Sequence, residues 1–169
     1  MAGAGGTTPS PRHRRELGLG PCFLPGGPSY TGGVAWQVGD EEFQSVLALP
    51  ASGRYEYFVK RAASHGEVWS LHGAEGWVVA EEGGEPYLPV WPHPRFAEAN
   101  AIEEWAGAEA RAIDVDDFTL AWTRTLEDDA MNIAVFPTPD AEGTSVGPAR
   151  LRRDLERELE QFGGDAPAQ

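Results

Sequence analysis

Residues 76–99, GWVVAEEGGEPYLPVWPHPRFAEA, hold the signals that decide the fold. Two apolar runs stand on either side of the turn residues Glu82-Gly83-Gly84, a pattern that predicts a β-hairpin. The second run ends at Pro92 and Pro94. Proline is tolerated in the first turn of a helix, because its missing N–H would lack a partner there anyway. The stretch therefore predicts strand, turn, strand, proline corner and helix.

On the N-terminal side, residues 67–71 predict a further strand, joined to residues 77–80 by the short turn HGAEG. Together with residues 87–91 these strands form an antiparallel three-stranded meander. Apolar residues occupy both faces of the first strand, as expected for a sheet that helices cover. Two earlier helices are predicted, one capped by Asp40 and one capped by Ser52 and running to about residue 63.

On the C-terminal side, the helix after Pro94 is predicted to reach residue 106, because Phe96, Ala99, Ile102 and Ala106 follow a helical spacing. Further elements are a strand at 110–113, a helix from Asp114 to 126, a central strand at 131–136, a strand at 144–146 and a last helix from Pro148 with Leu151, Leu155, Leu159 and Phe162 on one stripe. The predicted fold class is α+β: a small mixed sheet with an antiparallel three-stranded meander, covered by four to five helices.

Composition divides the 169 residues into three parts. Residues 1–39 contain many prolines and glycines and predict a disordered segment, because they cannot bury enough apolar surface to offset their chain entropy. Residues 40–162 predict a single α+β domain of ordinary size. Residues 163–169 predict a disordered tail.

The net charge of −14 is unevenly distributed. Residues 1–39 carry three arginines and one glutamate, whereas residues 40–110 carry four basic and thirteen acidic side chains, and residues 111–169 carry six and thirteen. An acidic domain repels nucleic acid and anionic membranes, so neither is an expected partner. The charge instead suits a protein partner with a basic surface.

The expected location is the cytoplasm. Cys22 is the single cysteine, so an internal disulfide is excluded, as is usual in a reducing compartment. Arg14-Arg15 is followed by no apolar run of the kind an export signal needs. No apolar run approaches the roughly 18 residues that a membrane-spanning helix requires.

The best candidate site is the proline corner, with Trp91, His93 and Arg95 as ligand- or partner-binding residues. It stands at a strand end and a helix start, where free N–H groups, the Arg95 charge and the Trp91 ring could bind an anion or an apolar group. Against this, Pro92 and Pro94 remove two of those N–H groups, and a rigid structural corner would explain the same residues.

No catalytic, metal-binding or cofactor-binding residue is predicted. The four histidines lack the spacings of known zinc motifs, and the adjacent acids Glu81-Glu82 and Glu103-Glu104 suit a solvated surface better than an opposed catalytic pair. Ser145 does not stand in a nucleophile elbow. The glycine-rich segments lack the lysine of a phosphate-binding loop.

The words YEYFVKRAA, EVWSLHGAEGWVVAEE, LPVWPHPRFAEA and IAVFPTPD, in this order, resemble a bacterial family catalogued as domain of unknown function 2750 (DUF2750). The resemblance spans roughly residues 42–159. More remotely, LPVW and IAVFP resemble the N-terminal domain of SseB-type proteins. Both resemblances imply an α+β fold, and neither implies a catalytic mechanism or a site residue.

Two functions remain open at this point. The leading hypothesis is a non-catalytic protein-interaction or regulatory module. One version of it is an immunity-like or inhibitor protein that covers a basic surface of another protein. The alternative is a small-ligand-binding protein or an enzyme that uses the corner at residues 91–95. The first predicts a protein partner, and the second predicts a concave pocket beside Trp91.

Overall fold

The computed structural model describes residues 37–74 and 76–164 of the chain. The disorder predicted for residues 1–36 and 165–169, and the position of Cys22, lie outside the described residues. Val38 is only 7% exposed and joins the hydrophobic core. The folded part therefore already includes Val38, two residues before the predicted boundary at Asp40.

The described part consists of helices and strands in mixed order. The helices are α1 Asp40–Leu47, α2 Ala51–His65, α3 Pro94–Ala99, α4 (residues 115–128) and α5 Pro148–Gly164. Helix α4 contains a π-helical turn, Phe118–Trp122, between the α-helical pieces Val115–Asp117 and Thr123–Asp128. The strands are β1 Glu67–Gly73, β2 Gly76–Trp77, β3 Ala80–Glu82, β4 Glu85–Val90, β5 Glu109–Asp114, β6 Asn132–Val135 and β7 Thr144–Val146.

The strands form two sheets. The first has the order β2-β1-β5 and is antiparallel, and the second has the order β3-β4-β6-β7. In the second sheet β4 and β6 are parallel, with Leu88 opposite Ile133, whereas its other pairs are antiparallel. The α+β class is therefore confirmed, and β6 occupies the central position predicted for it.

The prediction of a single three-stranded meander is wrong in its middle strand. Residues 76–77 pair with β1 and residues 80–82 pair with β4, so the predicted strand divides between the two sheets. The division falls at Val78 and Val79, which are both buried although they are consecutive. Successive side chains of a regular strand point to opposite faces. The run therefore bends and passes into the second sheet.

The two sheets are joined at Trp69 and Trp91. Each residue donates its backbone N–H to the carbonyl of the other, and both N···O distances are 2.8 Å. This bridge lies beyond the end of β4 and on the edge of β1 that β2 leaves free.

Helix α3 is shorter than predicted. It ends at Ala99, where the Asn100 side chain donates a hydrogen bond to the Phe96 carbonyl over 2.8 Å. Asn100 is buried, so this bond satisfies a carbonyl that lacks a partner at the helix end. A 3₁₀ turn, Glu103–Trp105, follows. Ile102 was expected in the apolar stripe, but it is 47% exposed.

The predicted caps have mixed outcomes. Asp114 caps α4 as predicted, because its Oδ1 accepts the N–H groups of Asp116 at 2.9 Å and Asp117 at 3.4 Å. Asp40 and Ser52 are helical residues instead, preceded by the caps Gly39 and Pro50, which make no side-chain cap bond. The Asp40 carboxylate accepts a hydrogen bond from a distant arginine, which removes it from the capping role.

Helices α2 and α5 pack beside each other. Tyr55 donates its hydroxyl to Asp154, while Ser64, nearer the end of α2, lines a groove with Phe162, nearer the end of α5. The two helices therefore run in the same direction. Leu151 and Leu155 are fully buried, as the stripe predicted, but Phe162 is 51% exposed because the last turn of α5 extends beyond the core.

A buried arginine joins α2 to the loop between β6 and β7. Arg54 donates to the carbonyls of Leu49 at 2.7 Å, Phe136 at 3.1 Å and Glu142 at 2.7 Å. Burial lowers the pKa of its guanidinium. Phe136 has a positive φ of 57°, so Arg54 stabilises a loop whose backbone is itself unusual.

Candidate interaction surface

The predicted corner brings Trp91, His93 and Arg95 together, but it does not present the Trp91 ring. The indole is fully buried, packs edge-on against Trp105 with 6.4 Å between ring centroids, and donates Nε1–H to the Pro137 carbonyl over 2.8 Å. The expectation of a ring face open to a ligand is therefore wrong. A tryptophan in an apolar strand is more often a core residue, and this one also ties β4 to the loop after β6.

His93 and Arg95 have structural contacts at the corner. His93 Nδ1 accepts the backbone N–H of Arg95 over 3.1 Å, which caps α3. Arg95 donates to the carbonyl of Val38 at 2.7 Å and pairs with Asp40, and its guanidinium lies 4.4 Å from the Phe43 ring centroid. The corner therefore fastens the start of the folded part to α3.

A groove of about 430 Å³ lies between α2 and α5 rather than beside Trp91. Its lining residues are Tyr57, Lys60, Arg61, Ser64, Glu158 and Phe162. Arg61 is engaged by Glu42 at 3.3 Å, and Tyr57 donates its hydroxyl to the same carboxylate at 2.7 Å. The lining is therefore a mixed-charge surface in which Tyr57 and Arg61 already contact the Glu42 carboxylate.

Strand β5 offers a different kind of site, because it stands at the edge of the first sheet. It pairs with β1 along its whole length, and no backbone hydrogen bond joins its other side to another strand within the described ranges. We call this strand, with residues 102–104 before it and 116–120 after it, the β5 edge surface. An exposed edge presents N–H and C=O groups that another chain can pair with.

The β5 edge surface is strongly acidic. Residues 98–129 hold ten acidic and two basic side chains. Six of the carboxylates belong to the surface and are exposed: Glu103, Glu104, Glu109, Asp114, Asp116 and Asp117. Four ion pairs of the described part involve Arg61, Arg95, Arg150 and Arg152, which lie on other elements. None of the six exposed carboxylates belongs to these four pairs.

Apolar groups accompany these carboxylates. Ile102 precedes the strand and is 47% exposed, and Leu120 follows it and is 60% exposed. Ala110 and Ala112, on the strand itself, are half-buried. An apolar centre with a charged rim is the usual anatomy of a protein–protein interface.

Two carboxylates face each other at one end of this surface. Glu67 of β1 stands directly opposite Asp114 of β5. Burial raises the pKa of Glu67, a hydrogen bond from the Trp69 side chain lowers it, and the charge of Asp114 raises it. Like charges directly opposite each other destabilise an antiparallel pair. A cation brought to this end would relieve that repulsion.

The opposite face of β5 has a different electrostatic environment. Burial lowers the pKa of His72, as does the positive charge of Arg111, whereas Glu109 raises it. His72 also packs edge-on against Trp77, with 5.2 Å between ring centroids. Arg111 thus lies near this imidazole, so the one cation of the strand is on the face away from Asp114.

Sequence reasoning missed the edge position of β5. It found the strand and treated Glu103-Glu104 as solvated acids, but strand order depends on long-range pairing that no local pattern reports. The density of acids in residues 98–129 was the available signal. In the described part of the chain, no helix has the length and apolar character to cross a membrane, and no group of three metal-ligating side chains is assembled.

A family model described as "Protein of unknown function (DUF2750)" matches residues 55–155. The match runs from α2 into α5 and includes every described strand, so it covers both sheets and the β5 edge surface. No curated protein matches the chain. The chain belongs to the DUF2750 family.

Proposed function

We propose that this DUF2750 protein is a non-catalytic interaction module that binds a protein partner with a basic surface at its β5 edge surface. The observation that carries the proposal is the coincidence of an edge strand with six exposed carboxylates. A cytoplasmic location is part of the proposal, since a single cysteine at position 22 suits a reducing compartment.

Charge determines which partner this surface favours. A second copy of the chain carries the same acidic edge, and nucleic acid is itself an anion, so both are repelled. A basic protein is attracted from a distance, which raises the association rate and makes it dependent on salt. An inhibitor or immunity-like protein that covers a basic surface is one form of this function.

The geometry favours recognition through the strand edge. An incoming extended segment could pair its backbone with β5, as peptides do in β-strand addition. Its basic side chains would meet Glu109 and Asp114, while its apolar side chains would meet Ala110 and Ala112. Backbone pairing would supply affinity, and the charges would supply the choice of partner.

The alternative function at the proline corner has less support. It requires a pocket beside Trp91, but Trp91 is buried and Arg95 is engaged by Val38 and Asp40. A bound ligand would have to displace contacts that hold α1 and α3 together.

The test compares two triple charge reversals in the full chain. The first is Glu103→Lys, Glu104→Lys and Glu109→Lys on the β5 edge surface. The control is Glu56→Lys, Glu156→Lys and Glu160→Lys, which changes the net charge equally at exposed positions of α2 and α5. Each tagged protein is expressed in its source cells, purified at low and at high salt, and analysed by mass spectrometry.

The expected result is a stoichiometric protein partner that the unaltered chain and the control retain at low salt. The edge variant should lose it. Equal retention by both variants would place the partner elsewhere and refute the proposal. A retained small molecule without any protein partner would also refute it, and would favour a ligand-binding function.

A further inference from the structure

We propose that the arginines before the folded part, Arg12, Arg14 and Arg15, bind the β5 edge surface of the same chain and compete with its basic partner. This inference rests on the proposed function, because it concerns the regulation of the same surface. Three features carry it: the charges of the two segments, the point where the folded part begins, and the length of the intervening chain.

The charges are complementary within one molecule. Residues 1–39 hold three of the thirteen basic side chains and a single acid, whereas residues 98–129 hold ten acids. The three arginines fall within four consecutive positions, RHRR. They therefore form the most concentrated positive charge outside α5, where arginines alternate with acids.

The folded part begins next to an element that contacts the β5 edge surface. The Val38 carbonyl accepts a hydrogen bond from Arg95 of α3, at 2.7 Å. Helix α3 in turn packs against both β1 and β5. The chain before Val38 thus enters the fold on an element that adjoins the edge strand.

The connecting chain is long enough. Twenty-two peptide units separate Arg15 from Gln37. Fully extended, a chain of that length spans at most about 75 Å. The folded part has an expected radius of gyration of about 14 Å. This upper limit allows the arginines to reach any part of the β5 edge surface.

Competition follows from this arrangement. When the arginines occupy the carboxylates, a basic partner must displace them. Its apparent affinity is therefore its intrinsic affinity multiplied by the fraction of molecules in which the arginines are not bound. Because exposed ion pairs are individually weak, the reduction should be about three- to tenfold. A partner of higher charge would still bind, whereas weakly basic proteins would be rejected.

Cys22 allows the contact to be measured directly, since it is the single cysteine and lies seven positions after Arg15. A nitroxide on its thiol broadens the amide resonances of residues that it approaches. In the ¹⁵N-labelled full chain we expect the strongest broadening at residues 103–104 and 109–117, and little at 156–160 of α5. Salt at about 1 M should remove the pattern.

Two triple variants test whether the contact depends on the positive charge at positions 12, 14 and 15. Arg12→Ala, Arg14→Ala and Arg15→Ala together should abolish the selective broadening, whereas replacing all three by lysine should preserve it. A fluorescent oligolysine peptide, used as the basic probe, should bind the alanine variant about three- to tenfold more tightly than it binds the unaltered chain or the lysine variant.

The outcomes distinguish the two proposals. Uniform broadening, or a pattern that survives in the alanine variant, overturns the competition while leaving the proposed function intact if the peptide binds. Equal peptide affinities for all three proteins overturn the competition as well. Failure of the peptide to bind even the alanine variant contradicts the proposed function, and with it the regulation inferred from it.

Discussion

Replacement of Arg54 by methionine would remove three hydrogen bonds from the junction of α2 with the β6–β7 loop while keeping an unbranched apolar stem. The side chain is 3% exposed and donates to three backbone carbonyls, at 2.7, 2.7 and 3.1 Å. A hydrogen bond from a charged donor contributes about 1.5–3 kcal/mol. The cost of burying the charge offsets part of that sum, so a net loss of about 3–5 kcal/mol in the free energy of unfolding is expected.

The assay is equilibrium unfolding of the full chain in urea, followed by tryptophan fluorescence. Arg157→Met is the control, because Arg157 is exposed on α5 and its replacement should change the free energy by less than about 0.5 kcal/mol. The denaturant slope must stay constant for the comparison to hold. A loss below about 1 kcal/mol for Arg54→Met, with an unchanged slope, would show that the three carbonyls need no such donor.

Three further changes test other parts of the fold. Gly143→Ala would place a Cβ 2.6 Å from the Val135 carbonyl oxygen, so a loss of about 1–3 kcal/mol is expected in the same urea assay; a loss no larger than that of Gly147→Ala, which meets nothing within 4 Å, would contradict it. Burial raises the pKa of Glu67, so the stability this carboxyl contributes is present below its usual value of 4.5 and is lost as the pH rises through its folded-state pKa. Glu67→Gln should therefore raise the melting temperature at neutral pH more than at about pH 4. An equal rise in melting temperature at both pH values would contradict a raised pKa of Glu67 as the cause. Asp114→Ala should lose about 1 kcal/mol with its cap, whereas Asp114→Asn keeps the cap and should not; equal losses in thermal unfolding would assign the effect to charge.

Local signals in the sequence predicted the elements that local chemistry determines. The Asp114 cap, the proline at the start of α5 and the apolar run of β6 each act within a few residues, and each was confirmed. The turn at Gly83-Gly84 was confirmed as well, since both glycines have a positive φ that favours glycine. These features do not depend on the rest of the chain.

The wrong predictions concern features that apolar spacing alone does not determine. Helical spacing continued from Phe96 to Ile102, but the Asn100 side chain ends α3, and a residue with that role is not distinguishable by spacing alone. The division at Val78-Val79 depends on which strands pair, and consecutive valines are compatible with one buried strand as well as with two. The apolar pattern predicted that both valines are buried, but it did not predict which strands pair with them.

Arg54 and the edge strand β5 also depend on contacts that local sequence signals do not report. Arg54 lies on the buried stripe of α2, one turn before Phe58, which was a weak sign of a special role. Its partners are backbone carbonyls, however, and these carry no sequence signal. The edge position of β5 was equally invisible, because it follows from the absence of a further strand in the first sheet of the described part.

The Trp69–Trp91 bridge has a consequence for how the molecule opens. Native proteins open in cooperative units, and boundaries between units fall where few hydrogen bonds cross. Two backbone bonds cross from one sheet to the other at this bridge, and side chains of both sheets also pack in one hydrophobic core. A segment bound along β5 would therefore slow amide exchange most in β5 and in its partner β1, and less in the second sheet. A comparison of amide exchange in the two sheets would thus measure how far the effect of binding at β5 spreads through their shared core.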